Sequence, residues 1–254
     1  HFFLSNVIIY KNLKIKIIQK KLNLINKSWA FNKNVSKSFD VHVRESIPFY
    51  DIFQKDIAKY SEWFLKEESV VYDLGCSTGQ TIKYISKLNI DTKFEINAID
   101  NSKSMVKIAK DNLNEIKNKN LKIKVFHGDV NKIIFKKNDL IYSILLMPFL
   151  SKKKQINLLK KSYKSLKSGG GFICINKIQS SNSQFQDIFN QLYFDFKKSK
   201  KISSNDILKK AQSLRSVLTL NTQAEEIKNL KKVGFKKIEV FFKYLNFIGI
   251  IAVK

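Results

Sequence analysis

At 254 residues, 44% of them apolar or aromatic, the chain is long enough for one ordinary domain with a sizeable core, and 2 prolines argue against long structured linkers. Two cysteines, Cys76 and Cys174, exclude a disulfide scaffold and a zinc cluster and point to a reducing, cytoplasmic setting. The balance of 47 Lys and Arg against 21 Asp and Glu, formally +26, suits an anionic partner, but only Arg44 and Arg215 are arginines and the lysines are diffuse, so direct tRNA binding is not expected.

Residues 1–27 are apolar and basic, with no acid. They read as a leader outside the catalytic fold; a targeting segment or a membrane-lying helix are the other readings. No apolar run reaches the roughly 20 residues of a spanning helix, so no transmembrane segment is expected. Residues 28–66 look helical and precede the first strand.

From Val70 a strand–helix rhythm becomes readable. "SVVYDLG" reads as a buried strand and turn, and Gln80 to Leu88 as a helix with Ile82, Ile85 and Leu88 on one face. Lys93 to Asp100 is a second strand ending in an acid. The next helix has Ser102 as its cap, with Met105, Ile108, Ala109, Leu113 and Ile116 as its apolar face. Leu121 to Asp129 is a third strand, with its acid just past the end. A fourth strand runs from Asp139 into Pro148. The following helix is expected to stop at Gly169 to Gly171, before a fifth strand in "GFICINKI". Residues 181–233 form a helical insertion, and 238–254 read as two closing strands.

This alternation predicts an α/β, Rossmann-like fold. Its sheet is mostly parallel and seven-stranded, with an antiparallel edge at the C-terminal end. A single catalytic domain would span 28–254, with helical cover at 28–66 and the insertion at 181–233.

Candidate chemistry lies at the strand ends. In "YDLGCSTG" the first glycine allows a tight turn and a close backbone approach, and the next helix begins near Gly79 or Gln80. The G-x-x-x-G spacing is neither the dinucleotide fingerprint nor a P-loop. Asp100 ends strand two, 25 residues after Gly75, where an acid accepts hydrogen bonds from ribose hydroxyls. Asp129 follows strand three and is placed to meet an adenine amino group. Each acid alone also reads as a cap or turn residue. Together they describe a site for an adenosine with a short charged tail and no phosphate. No metal cluster is expected, because the acids are spread over separate strand ends.

These residues resemble the class I S-adenosylmethionine-dependent methyltransferase fold, with S-adenosyl-L-methionine as the cofactor. Asp73, Gly75 and Gly79 match its first motif, Asp100 its ribose acid and Asp129 its adenine-side acid. A closer resemblance is to the carboxy-S-adenosyl-L-methionine synthase family of bacterial tRNA wobble-uridine modification. It is carried by Trp29, Phe31, Phe39, Ser46, Pro48 and Tyr50, by "VYDLGCSTG", "AIDNSKSMV" and "GDV", by Lys177, by "FDFKK", by "KKVGF" and by the terminal "LNFIGIIAVK". The resemblance implies cofactor contacts from Tyr50, Asp73, Gly75, Cys76, Ser77, Gly79, Asp100, Asn101, Asp129, Val130 and Ile144. It also implies a homodimer to which the inserted helices contribute.

The reaction it implies is decarboxylative transfer from prephenate to the cofactor's methyl group through a sulfonium ylide, giving carboxy-S-adenosyl-L-methionine and phenylpyruvate. The resemblance implies that the tRNA itself is handled by a partner enzyme. The transferred carboxylate calls for an arginine fork. Here the chain departs from the pattern. Ala211 stands where the family has its carboxylate-binding arginine. Arg215 lies one helical turn on and Lys210 next to it, so Arg215, Lys210 and Tyr50 are the candidate catalytic residues. Arg215 also reads as a surface residue, and Tyr50 as a core aromatic. At the end of strand four, Ile144 and Pro148 replace the family's Asn and Gln. An ordinary methyltransferase acting on a small molecule or RNA, and a non-catalytic cofactor-binding relic, are therefore alternatives; prephenate or another small anionic molecule is the expected second substrate.

Overall fold

The computed structural model describes residues 39–254. The expected leader, Trp29 and Phe31 lie outside these residues. Helices α1 (Phe39–Ser46) and α2 (Tyr50–Glu62) precede the sheet. The chain then runs β1 (Ser69–Leu74), α3 (Gln80–Ile85), β2 (Phe94–Asp100), α4 (Lys103–Asn114), β3 (Leu121–His127) and β4 (Asn138–Ile144). It continues through α5 (Lys152–Ser165), β5 (Leu166–Lys177), α6 (Ser183–Ser199), α7 (Ser204–Leu214), α8 (Gln223–Val233), β6 (Lys237–Tyr244) and β7 (Phe247–Val253). Residues 203–218, which hold α7, group apart from the remaining described residues.

The seven strands are ordered β3-β2-β1-β4-β5-β7-β6. All neighbours are parallel except β5–β7 and β6–β7. The mostly parallel sheet with its antiparallel C-terminal edge is thus as the sequence led us to expect. The chain leaves β1 towards β2 and β3, then returns to β1's other side for β4. This reversal opens a crevice at the carboxyl end of β1, where open α/β sheets bind ligands.

Both faces of the sheet are covered. Val71 of β1 packs with Phe53, Ile57, Ile82 and Tyr142 on one side. Its neighbours Tyr72 and Leu74 pack with Leu158, Phe172, Leu230 and Phe235 on the other. Alternate residues of a strand face opposite ways, so a strand covered on both faces reads as a continuous apolar run. Ser102 caps α4 by accepting from Met105 N, as its sequence position implies. Met105, Ala109 and Leu113 are buried on that helix, and so is Val106.

Three boundaries differ from the sequence reading. Helix α3 ends at Ile85 rather than at Leu88. Strand β4 ends at Ile144; Leu145 turns the chain with φ 58°, and Met147–Phe149 form a 3-10 turn around Pro148. Helix α5 ends at Ser165, so the triple glycine belongs to β5 instead of terminating the helix. The reason is packing: Phe64 lies across Gly171, and a Cβ there would come within 2.7 Å of the ring. A run of glycines reads as a helix stop in sequence, but a ring pressed on a strand requires the same residue. Among the described residues no helix is long and apolar enough to cross a membrane.

Candidate functional site

The turn after β1 is built by its two glycines. Gly75 (φ +72°) and Gly79 (φ +82°) adopt left-handed conformations that suit glycine. A Cβ on Gly75 would lie 3.0 Å from the Leu146 side chain, and one on Gly79 2.8 Å from Leu113. Conformation and space thus exclude larger residues at both ends of the turn. The Gly75 and Cys76 amides donate to the Ile99 carbonyl at 2.8 and 3.0 Å, and Gly79 N closes the turn on Cys76 O at 2.8 Å. The turn is thereby fastened to the end of β2.

Asp100 completes that joint. Its carboxylate accepts from Ser77 N and from Ser102 N, both at 2.9 Å. A carboxylate has about four acceptor positions, so capacity remains for ribose hydroxyls. Burial raises its pKa, while the amide hydrogen bonds oppose the shift. Gly128 N donates to Asp100 O at 2.9 Å, which brings the end of β3 into the same site. Just beyond, Asp129 accepts from Asn131 N at 2.9 Å, and the carbonyl of buried Val130 accepts from Lys161 Nζ at 2.9 Å. Asn101 is exposed, and its carbonyl lies 3.0 Å from the His127 ring.

Asp73 is the least comfortable residue of the set. It is 1% exposed, and its Oδ2 is buried with no hydrogen-bond partner. Burial, and secondarily the charge of Asp100, push its pKa up to about 7. An orphaned buried carboxylate oxygen is costly unless a positive group meets it. The ammonium of an amino-acid tail supplies that charge, with Asp100 placed for the ribose of the same molecule. These residues therefore fit S-adenosylmethionine. Tyr50 stands close by: it is buried, its hydroxyl is pushed well up in pKa mainly by burial, and Asp40, Arg44 and Asp73 all bear on it electrostatically. Cys76 is buried and its thiol is also pushed well up, so it is no nucleophile. Ile144, at the end of β4, is half-buried.

The sequence reading missed a latch. Asp40 of α1 accepts from Thr78 Oγ1 at 2.5 Å and from Gln80 Nε2 at 2.8 Å, tying α1 to the second half of the turn. Arg44 bridges Asp51 Oδ1 (2.9 Å), the Asp40 carbonyl (3.2 Å) and Gln80 Oε1 (3.3 Å). Tyr84 of α3 donates to Asp51 at 2.7 Å. The available signal was the position of "FDVHVRES" ahead of Tyr50, with an acid and an arginine four apart on one helix face.

The structure thus brings together Tyr50, Asp73, Gly75, Cys76, Ser77, Gly79 and Asp100, with Asp129 and Val130 following the adjoining strand. Arg215 and Lys210 belong to the separate 203–218 unit. Within it, Arg215 is the exposed C-cap of α7, and burial lowers the Lys210 pKa to about 8. Among the described residues no group of three His, Cys, Asp or Glu is placed to hold a metal.

A methyltransferase-domain family model matches residues 71–170. The chain is 35% identical to the carboxy-S-adenosyl-L-methionine synthase of Staphylococcus epidermidis, over 89% of this chain and 97% of that one. It is 33% identical to the enzyme of the same name from Nautilia profundicola, over 91% and 96%. Among solved structures, a SAM-dependent methyltransferase from Aquifex aeolicus superposes with a TM-score of 0.56 at 19% identity, covering 88% of this chain and 98% of that one. That last likeness concerns the fold.

Proposed function

The chain belongs to the carboxy-S-adenosyl-L-methionine synthase family, and from that premise we propose that it converts S-adenosyl-L-methionine and prephenate into carboxy-S-adenosyl-L-methionine and phenylpyruvate. The observation that carries the reading is the unpartnered, buried Asp73 oxygen beneath the glycine turn, beside Asp100. S-adenosylmethionine supplies the methyl carbon that receives the carboxylate. Asp73 takes its ammonium, Asp100 its ribose hydroxyls, and Asp129 with Val130 its adenine edge. Gly75, Cys76, Ser77 and Gly79 shape the turn around it, Asn101 and Ile144 border it, and Tyr50 closes the tail end.

Arg215 and Lys210 are the candidates to hold the transferred carboxylate. An arginine fork matches both oxygens at once, while a lysine offers a point charge. We place the enzyme in the cytoplasm, with prephenate as its anionic second substrate and the tRNA left to a partner enzyme.

The homodimer that the family resemblance implies has support on α6. Phe185, Ile188 and Leu192 are 53%, 43% and 47% exposed and recur at helical spacing, with Phe185 stacked on Phe189. A stripe of this kind suits a helix that meets a second copy.

Mass spectrometry after adding S-adenosylmethionine and prephenate to the purified chain tests the reaction. A carboxylated sulfonium with phenylpyruvate is the expected result. A methylated acceptor, or bound cofactor without turnover, refutes it.

A further inference from the structure

Strand β5 ends on Lys177, at the carboxyl edge of the sheet, and Lys197 lies in the last turn of α6. Both ammonium groups rest against one ring. Lys177 Nζ is 4.9 Å and Lys197 Nζ 3.8 Å from the centroid of Tyr193. Lys197 is only 8% exposed and Tyr193 only 9%. The ring is fixed in place: its hydroxyl donates to the Ser46 carbonyl at 2.8 Å, and Phe247 meets it edge-on at 5.4 Å. Ser46 closes α1, four residues before Tyr50, so this platform adjoins the segment that reaches Asp73.

Neither ammonium has a carboxylate or any other hydrogen-bond partner among the described residues. The nearest acid on the same helix, Asp195, is exposed and engaged with Gln191. A ring face returns part of the solvation lost by a buried cation, but two like charges sharing one ring repel. Burial lowers the pKa of both lysines, and Lys177 depresses Lys197 further. Two cations held together without a counter-charge create a demand for an anion.

We propose that Lys177 and Lys197, set on Tyr193, anchor a carboxylate of the second substrate. The inference rests on the synthase reading, which makes that substrate a dicarboxylate. Of the two carboxylates of prephenate, the ring carboxylate is transferred and the one on the pyruvyl side chain is kept. An anchor on the kept group is compatible with turnover, because its hold is the same before and after transfer. An equally strong hold on the departing carboxylate would stabilise the ground state and oppose its loss. The lysine pair therefore receives the pyruvyl carboxylate.

The test compares Lys177→Met and Lys197→Met, which keep most of each apolar stem, with Lys197→Arg, which keeps the charge. Two quantities are read: the KM values for prephenate and S-adenosylmethionine, and prephenate binding by calorimetry to protein loaded with S-adenosylhomocysteine. Each methionine variant should weaken prephenate roughly 10- to 100-fold, the value of a lost charged hydrogen bond. The KM for S-adenosylmethionine should stay within about twofold, and Lys197→Arg should recover most of the loss. If an active wild type gives variants with unchanged prephenate KM and affinity, the anchor is refuted and the synthase reading stands.

If the wild type makes no carboxylated product, the synthase reading fails, and malonate binding judges the anchor. Binding that Lys197→Met abolishes sustains it, and no binding overturns it. Should the methionine variants fail to fold, acylation of Lys197 in the wild type serves instead. Prephenate should slow it where chloride at equal ionic strength does not, and equal rates overturn the proposal.

Discussion

The Thr78 hydroxyl donates to Asp40 at 2.5 Å, so a helix that precedes the sheet is bound to the loop that follows its first strand, β1. Gln80 donates to the other oxygen of the same carboxylate. One side chain therefore sets the position of α1 over the cofactor turn, and with it the position of Tyr50.

Asp40→Asn should loosen this joint. The amide keeps the shape but removes the charge from two hydrogen bonds. The expected loss is about 1–3 kcal/mol in urea unfolding, with weaker S-adenosylhomocysteine binding by calorimetry. Unchanged stability and affinity would mean that the latch is incidental.

Asp73→Asn should act in opposite directions on stability and on binding. The folded-state pKa, about 7, lies above the ordinary 3.8, so between those values the folded chain holds a proton that the unfolded chain has lost. Stability of the cofactor-free protein therefore falls as pH rises from about 4 towards 8, by a few kcal/mol in all. The asparagine variant should lack this slope and be the more stable protein at pH 8. It should also bind S-adenosylmethionine more weakly, because the ammonium loses its counter-charge. A variant less stable at pH 8 would show that Asp73 has a cationic partner in the free protein.

The ionised form of Asp73 is also the one that binds. Cofactor affinity should rise with pH up to about 7 and then level off, with proton release on binding near pH 6. Calorimetry at pH 6 in two buffers of different ionisation enthalpy reads this directly. Identical heats in both would contradict a buried, protonated Asp73.

Ser61 and Tyr142 share a buried hydroxyl contact of 2.5 Å, and Ser61 Oγ also donates to the Ile57 carbonyl at 2.7 Å. Serine has one proton and spends it on Ile57, so Tyr142 must be the donor to Ser61. Ser61→Ala strands a buried phenol and should cost about 1–3 kcal/mol; Tyr142→Phe leaves the Ser61–Ile57 bond intact and should cost less. Chemical denaturation of both variants settles the order, and the reverse order would invert the assigned proton.

Ile188→Lys on the exposed face of α6 should abolish the proposed dimer while leaving the fold intact. Light scattering coupled to size exclusion reads the mass. A wild type that is already monomeric removes the basis for the dimer.

Much of this site was legible because its demands are local. Gly75 and Gly79, each required by its own backbone angles, and Asp100, the acid that closes a strand alternating Phe94, Ile96 and Ala98 with Glu95 and Asn97, announce themselves in single segments. The latch and the lysine pair do not, because their partners are far apart in sequence. Asp40 meets Thr78 across 38 positions, and Tyr193 reaches Ser46 across 147. In a chain with lysine in every segment, Lys177 and Lys197 acquire meaning when one ring is seen beneath both. The glycine run 169–171 misled for a related reason: Phe64, which requires Gly171, lies more than 100 residues earlier.

The strand order also governs how the protein can be made. β7 lies between β5 and β6, buried along most of its length, yet it follows both of them in sequence. While the ribosome is still delivering it, β5 presents an open edge and β6 has no sheet to join. Pairing of this kind across the sequence is slow, and an exposed edge invites other strands. The cofactor turn can therefore take shape early in synthesis, but its sheet closes only when Phe247–Val253 emerge. A nascent chain stalled before that point is the form of this protein most exposed to aggregation.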